Sequence, residues 1–207
     1  MAPPMRFVVK GHLGGFIAAD RNYPNGDPAT WCPGVWQFLR DRYLAFQKKP
    51  WRVLDVGCGE GHALEWFADS GCDAKGVEGL SDGIRAFEKR RPDLAGRVVL
   101  HDYTKGPLTI DPVELVWSCE FVEHVAAEHM PNFLATFADA LVVAMTHAEP
   151  GQGGHHHVNC REAQFWIEQM ANIGFGLEVD ATIASRKLAP DTHWARSGQI
   201  FTRISPA

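Results

Sequence analysis

Short apolar runs alternate with amphipathic runs along the middle of the chain. Five short apolar runs have the composition of buried strands, and four longer runs repeat apolar residues at helical spacing. This alternation predicts a parallel sheet covered by helices on both faces. The predicted strands are residues 52–56, 74–77, 98–100, 115–118 and 141–146, and the predicted helices are residues 61–69, 81–90, 130–140 and 161–172, the last with a capping box of Asn159 and Glu162.

The two ends of the chain depart from this pattern. Residues 1–34 are rich in glycine and proline, which predicts an extension with at most short structure. Residues 35–47 repeat apolar side chains at helical spacing and predict a helix. Near the end, residues 177–183 and 199–204 predict two strands in an antiparallel hairpin. The sequence therefore predicts one domain, residues 35–207, behind an N-terminal extension.

Charge and cysteine content limit the classes of protein that remain. The 207 residues include 20 Lys and Arg against 25 Asp and Glu, a net charge of −5, which disfavours a nucleic-acid partner bound by bulk positive charge. Five scattered cysteines without a Cys-x-x-Cys pair predict reduced thiols. The sequence lacks a signal-peptide pattern and a membrane-length apolar run, so we expect a cytoplasmic protein with no membrane partner.

A glycine-rich turn follows the first of the predicted strands. The segment VLDVGCGEGHALEWF places Gly57, Gly59 and Gly61 between an apolar strand and an amphipathic helix. Glycines in this position let the backbone turn tightly and approach a ligand at the helix N-terminus. The dinucleotide fingerprint requires glycine where His62 stands, which disfavours a nicotinamide dehydrogenase.

Acidic residues follow the next two predicted strands. Glu78 ends the second strand, where a carboxylate can accept hydrogen bonds from both hydroxyls of a ribose. Asp102 follows the third strand and can accept from the amino group of an adenine, and Tyr103 beside it offers a stacking face. The glycine turn and these residues together predict a nucleoside-binding edge of the sheet.

These motifs resemble the class I S-adenosylmethionine-dependent methyltransferases over about residues 35–205. The resemblance implies an α/β, doubly wound Rossmann-like fold: a seven-stranded sheet with the last strand antiparallel and helices on both faces. It implies S-adenosyl-L-methionine as the cofactor, with its amino-acid end at the glycine loop, and an N-terminal extension that covers the cleft. The expected cofactor-binding residues are Asp55, Gly57, Cys58, Gly59, Gly61, Glu78, Asp102 and Tyr103.

Two clusters of ligand-type side chains follow the fourth and fifth predicted strands. Glu120, Glu123 and His124 have the spacing that one helical turn would bring to one face. The run His155, His156 and His157 follows the neighbouring strand, and loops after adjacent parallel strands meet at one edge of the sheet. Carboxylates and imidazole together suit a divalent cation such as Mg²⁺ or Mn²⁺.

The pattern E-x-x-E-H followed by histidine is similar to two metal-assisted subfamilies. These are the small-RNA 3′-terminal 2′-O-methyltransferases and the ubiquinone-biosynthesis O-methyltransferases. The resemblance implies a metal held by Glu120, Glu123, His124 and His156, and the candidate catalytic residues are His124, His156 and His157. The chain has no basic region of the kind that RNA would require, so nucleic acid is disfavoured as the acceptor.

The sequence leaves several functions open. The leading prediction is methyl transfer to a hydroxyl group of a small molecule or sugar, assisted by Mg²⁺ or Mn²⁺. One alternative is a metal-independent O-, N- or carboxyl methyltransferase with a histidine general base. An alternative of another class is a non-catalytic module that binds S-adenosylmethionine. The acceptor and the oligomeric state stay open.

Overall fold

The computed structural model describes residues 3–204. Within these residues the order of elements matches the alternation that the sequence predicts. The strands are β1 (Arg6–Val9), β2 (Gly15–Ala18), β3 (Arg52–Val56), β4 (Asp73–Glu78), β5 (Val98–Leu100), β6 (Val113–Ser118), β7 (Ala140–Met145), β8 (Phe175–Leu177) and β9 (Gln199–Arg203). The helices are α1 (Pro33–Leu39), α2 (His62–Asp69), α3 (Ser81–Arg90), α4 (Met130–Phe137), α5 (Ala163–Asn172), α6 (Val179–Arg186) and α7 (His193–Ser197).

Seven of the strands form one sheet in the order β5-β4-β3-β6-β7-β9-β8. The pairs from β5 to β7 are all parallel, whereas β9 runs antiparallel to both of its neighbours. The predicted fold, a seven-stranded doubly wound sheet with the last strand antiparallel, is confirmed. The sheet order reverses at β3, so the crevice beside the carboxyl ends of β3 and β6 is where such folds bind ligands.

Side chains of successive strand residues pack into two core layers, one on each face of the sheet. In β6, Trp117 belongs to one layer, where its ring lies 5.9 Å from that of Trp36 and 4.9 Å from that of Trp194. The preceding residue, Val116, belongs to the other layer together with Trp166. Each such side chain contributes roughly 1.5–3 kcal/mol by burial, so helices on both faces stabilise the sheet.

The tail differs from the predicted hairpin. The second predicted strand forms as β9, but residues 179–183, most of the strand predicted at residues 177–183, belong to α6, and the strand β8 covers Phe175–Leu177. Two helices therefore separate β8 from β9, although the two strands do pair antiparallel. Apolar residues in this segment follow no clear period, and contacts with the rest of the fold decide its conformation.

The predicted capping box of α5 is also wrong. The helix begins at Ala163, Glu162 occupies the N-cap position, and no side chain caps the first turn. Asn159 lies before the helix, where its backbone N–H donates to the carbonyl of Glu123 at 3.0 Å. The segment before α5 is thus tied to the loop after β6 rather than to its own helix.

The extension before α1 contains more structure than the sequence predicts. Strands β1 and β2 pair as an antiparallel hairpin, with Phe7 opposite Ile17. The helix predicted at residues 35–47 is α1 continued by one π-helical turn, Arg40–Leu44. No helix among residues 3–204 is both long and apolar enough to cross a lipid bilayer.

Candidate functional site

The glycine loop joins β3 to α2 in the conformation that its glycines allow. Gly57, Gly59 and Gly61 have φ values of 77°, 54° and 71°, a region that other residues enter at a cost. At Gly61 a Cβ atom would lie 2.6 Å from the ring of Phe87, so no larger residue fits. The thiol of Cys58 does not face the crevice, because its Sγ packs against Gly76 of β4.

Asp55, at the end of β3, connects the strand to α2. Its Oδ2 accepts a hydrogen bond of 3.2 Å from the backbone N–H of Leu64, in the first turn of the helix. Burial raises the pKa of Asp55 from 3.8 to about 7, helped by the nearby carboxylate of Glu78. Asp55 therefore holds the glycine loop in place and titrates close to neutral pH.

This raised pKa predicts the pH dependence of one variant. A carboxyl group with a raised folded-state pKa stabilises the fold below its unfolded pKa, and this contribution is lost as pH rises through about 7. Asp55→Asn keeps an oxygen for Leu64 but cannot ionise. The free energy of unfolding of the variant minus that of wild type should therefore increase by about 2 kcal/mol between pH 5 and pH 8, because only wild type loses this contribution. Urea unfolding at both pH values measures this, and a difference independent of pH would contradict the assignment.

Glu78 lies where β4 meets the glycine loop. Its Oε2 accepts from the N–H of Gly59 and its Oε1 from the N–H of Leu80, both at 2.8 Å. The side chain is buried, and burial raises its pKa. Each oxygen keeps a lone pair for a further donor, so the carboxylate can still accept hydroxyl groups of a ligand.

Asp102 and Tyr103 follow β5, as predicted, but only one of them presents its polar group to the crevice. Asp102 accepts from Thr104 and lies 3.0 Å from Nε2 of His12, a residue of the extension. The hydroxyl of Tyr103 donates to Thr136 at 3.1 Å, and burial raises its pKa to about 12. The Tyr103 side chain is thus mainly a core residue whose ring borders the crevice.

Two cavities adjoin the glycine loop, of about 70 and 300 Å³. The smaller cavity is lined by Glu78 and Asp102, the residues expected to bind a nucleoside. Gly57, Gly59, Glu120 and His124 line both cavities, together with Gly15 and Phe16 of the β1–β2 hairpin. The extension therefore lies across the crevice, and the junction of the two cavities is at the loop after β6.

The acidic and histidine residues after β6 and β7 do come together, in a combination that differs from the predicted one. Ligand atoms of Glu123, His124 and His157 lie within 4.8 Å of one another. Glu120 does not share a helical face with them, because its φ of 54° breaks the turn. Its carboxylate accepts instead from Thr146 at 3.0 Å. The ring of His156 turns toward the backbone, with Nδ1 3.2 Å from the carbonyl of His124.

Burial controls the charges of this cluster. Both carboxylate oxygens of Glu123 and Nδ1 of His157 are buried without a hydrogen-bond partner. Burial, and then the Glu120 carboxylate, raise the pKa of Glu123 well above its usual value. Burial lowers the pKa of His124 to about 4. Because Nδ1 of His124 donates to the carbonyl of His156, the free lone pair is on Nε2.

Sequence reasoning missed a second group of polar residues in the larger cavity. His193, at the start of α7, lies 3.4 Å from Glu120 and 3.5 Å from Asp27 of the extension. The hydrogen bond to Asp27 raises the pKa of His193, which favours the imidazolium between the two carboxylates. Glu60 of the glycine loop lines the same cavity and accepts from the N–H of Ala19. Nothing in the sequence spacing links these segments.

Comparison with known proteins shows the family and the fold of this chain. A family model described as a methyltransferase domain matches residues 30–169. The malonyl-[acyl-carrier protein] O-methyltransferase of Enterobacter lignolyticus is 39% identical over 67 residues, which are 32% of this chain and 26% of that protein. The chain thus spans about a quarter of the length of this curated relative.

Solved structures share the fold over most of the chain. A TehB-like SAM-dependent methyltransferase from Corynebacterium glutamicum is 17% identical, with 82% of this chain and 87% of that chain covered and a TM-score of 0.59. The O-methyltransferase from a trans-AT PKS multienzyme of Brevibacillus brevis, in complex with S-adenosyl-L-homocysteine, is 12% identical, with 84% and 72% covered and a TM-score of 0.58. At these identities the likeness concerns the fold.

Proposed function

Because this chain belongs to a methyltransferase-domain family, we propose that it transfers the methyl group of S-adenosylmethionine to a hydroxyl oxygen of a small molecule or sugar. The observation that carries the proposal is the position of His124 and Glu120, which line both cavities. A group at this junction can act on an acceptor in one cavity while a cofactor occupies the other. In-line transfer depends mainly on such positioning.

The residues around the smaller cavity fit an adenosyl cofactor. When bound, S-adenosylmethionine supplies a methyl group already activated by its sulfonium. Glu78 would accept from the ribose hydroxyls, since each of its oxygens has a lone pair beyond the bonds from Gly59 and Leu80. Asp102 would accept from the adenine amino group in place of His12. The positive φ values of Gly57 and Gly59 keep the loop free of side chains where the amino-acid end would lie.

The buried cluster after β6 and β7 fits a divalent cation. Three atoms without hydrogen-bond partners, two on Glu123 and one on His157, would otherwise stay unsatisfied in a buried environment. Glu123, His124 and His157 would hold the ion, and one carboxylate with two imidazoles suits Mn²⁺ better than Mg²⁺. When bound, the cation supplies a Lewis acid that lowers the pKa of an acceptor hydroxyl. Glu120, beside this cluster, would orient the hydroxyl and take its proton.

A second candidate mechanism uses His124 as a general base without a metal. The lowered pKa keeps its imidazole neutral at physiological pH, and the bond from Nδ1 to His156 leaves Nε2 able to accept a proton. A chelator should abolish activity under the metal-assisted mechanism and leave activity unchanged under the general-base mechanism.

Label transfer tests the proposed activity. We expect the protein to transfer labelled methyl groups from S-adenosylmethionine to a component of a small-molecule extract, and excess S-adenosylhomocysteine should block this transfer. Mild base should leave the label on the product, because it cleaves methyl esters but not methyl ethers. Loss of the label as methanol would indicate carboxyl methylation, and a product that gains basicity would indicate N-methylation.

A further inference from the structure

The larger cavity contains acidic side chains and histidines but no Lys or Arg among its described lining residues. Its carboxylates come from three separated parts of the chain: the extension, the glycine loop region and the loop after β6. The acidic and histidine lining residues are Asp27, Asp55, Glu60, Glu120, His62, His124, His155, His157 and His193. Proteins that bind carboxylates or phosphates commonly use Arg or Lys, and this cavity offers neither.

Two of the lining carboxylates are held in the ionised form. Burial alone would raise the pKa of Asp27, but hydrogen bonds from His193 and the N–H of Ala29 lower it overall. Glu60 behaves in the same way, because the imidazole of His62, 3.6 Å away, and the hydrogen bond from the N–H of Ala19 outweigh its burial. His193, between Asp27 and Glu120, and His62, beside Glu60, therefore compensate part of the negative charge.

The walls of the cavity indicate a ligand with both a flat face and polar groups. Trp31, Trp36 and Trp117 contribute aromatic surface. Trp36 is only 1% exposed, and its buried indole N–H has no hydrogen-bond partner. A buried donor without a partner is costly, so a ligand that accepts this hydrogen bond would relieve the cost. This donor is an observation independent of the acidic residues.

We propose that the methyl acceptor is a small ring compound that bears hydroxyl groups and carries no negative charge, and that Asp27 and Glu60 are specificity residues that reject acidic acceptors. This inference rests on the proposed function and adds the charge class of the substrate. Glu60 is 6% exposed and Asp27 is half-buried, so these carboxylates interact with a bound ion partly through protein of low dielectric, where like charges repel more strongly than in water. Hydroxyl donors, in contrast, can bond to the same carboxylates.

Three catechols that differ only in side-chain charge test the proposal. They are 4-methylcatechol (neutral), dopamine (cationic) and 3,4-dihydroxyphenylacetate (anionic), titrated by calorimetry into the protein saturated with S-adenosylhomocysteine. We expect the anionic probe to bind at least about tenfold more weakly than the other two. The double variant Asp27→Asn, Glu60→Gln should reduce the affinity ratio of dopamine to the anionic probe at least about tenfold. Both substitutions keep the oxygens that accept from Ala29 and Ala19.

A matched control separates local from overall charge. Glu168→Gln with Asp180→Asn removes the same charge from exposed positions that line neither cavity, and the affinity ratio should change less than about twofold. The proposal is overturned if the anionic probe binds wild type as well as the others, if no probe binds, or if the ratio survives in the double variant. Failure to bind S-adenosylhomocysteine would instead contradict the proposed function itself.

Discussion

His157→Ala should lower the rate of methyl transfer at least about 1,000-fold while the affinity for S-adenosylmethionine stays nearly unchanged. The side chain lies with Glu123 and His124 in the cluster that fits a cation, and its Nδ1 has no other partner. Loss of the ion removes several kcal/mol of stabilisation from the transition state. The residues proposed to bind the cofactor follow β3, β4 and β5, whereas the cluster follows β6 and β7. Initial rates with labelled cofactor, and calorimetry on the same samples, measure both quantities.

Removal of metal ions by a chelator is the control for this prediction. A chelator should bring wild type down to the level of His157→Ala and should not lower that variant further. Added Mn²⁺ should restore wild type alone. His155→Ala, which removes an exposed ring outside the cluster, should cost less than about threefold. Full activity of chelated, metal-free wild type would contradict the metal-assisted mechanism and favour His124 as a general base.

Glu78→Ala should weaken binding of S-adenosylmethionine by about 1.5–3 kcal/mol, or roughly 10- to 150-fold in Kd. The substitution removes the acceptor proposed for the ribose hydroxyls. It also leaves the N–H groups of Gly59 and Leu80 without their partner, so the glycine loop loses its link to β4. Calorimetry on the folded variant measures the loss.

Glu78→Gln separates these two roles. Its amide oxygen can accept from one of the two N–H groups, so the loop keeps part of its support while the charge is lost. We expect an affinity between those of wild type and Glu78→Ala. The reading would be wrong if Glu78→Ala bound the cofactor as tightly as wild type. Equal losses in both variants would assign the whole effect to the charge.

The fold and the cofactor side of the site could be predicted because their signals are local. The apolar run before Gly57 and the amphipathic run after Gly61 define a strand, a turn and a helix within a few residues. Glu78 occupies the predicted position because it ends the next strand, and parallel strands bring their carboxyl ends together. The role of each residue toward the cofactor stays a prediction.

The candidate metal cluster could be predicted only in part. The loops after β6 and β7 lie together, as the sequence predicts, but the predicted cluster required a helical turn from Glu120 to His124. The left-handed backbone of Glu120 breaks that turn, and the left-handed backbone of His156, at φ 56°, turns its ring away and leaves His157 in the cluster. Spacing alone does not reveal backbone conformations of this kind, which depend on contacts such as Thr146 to Glu120.

The polar contacts of His193 in the larger cavity could not be predicted from the sequence. Asp27 and His193 are 166 positions apart in the numbering, and each occurs in a segment without a recognisable motif. Their contact requires the extension and α7 to reach the same edge of the sheet. Both carboxylate partners of His193 become visible only when these segments are folded together.

The β1–β2 hairpin and the start of α7 line the larger cavity from two segments near the ends of the described chain. The glycine loop and Glu78 lie inside the segment matched by the family model, residues 30–169. Phe16, Asp27 and His193, which line the larger cavity, lie outside that segment. A chimera that exchanged only residues 20–29 and 187–193 would therefore replace Asp27 and His193 and keep the glycine loop, Glu78 and all seven strands of the sheet. Under the proposed function, such an exchange would change the acceptor side of the site and leave the proposed cofactor side in place.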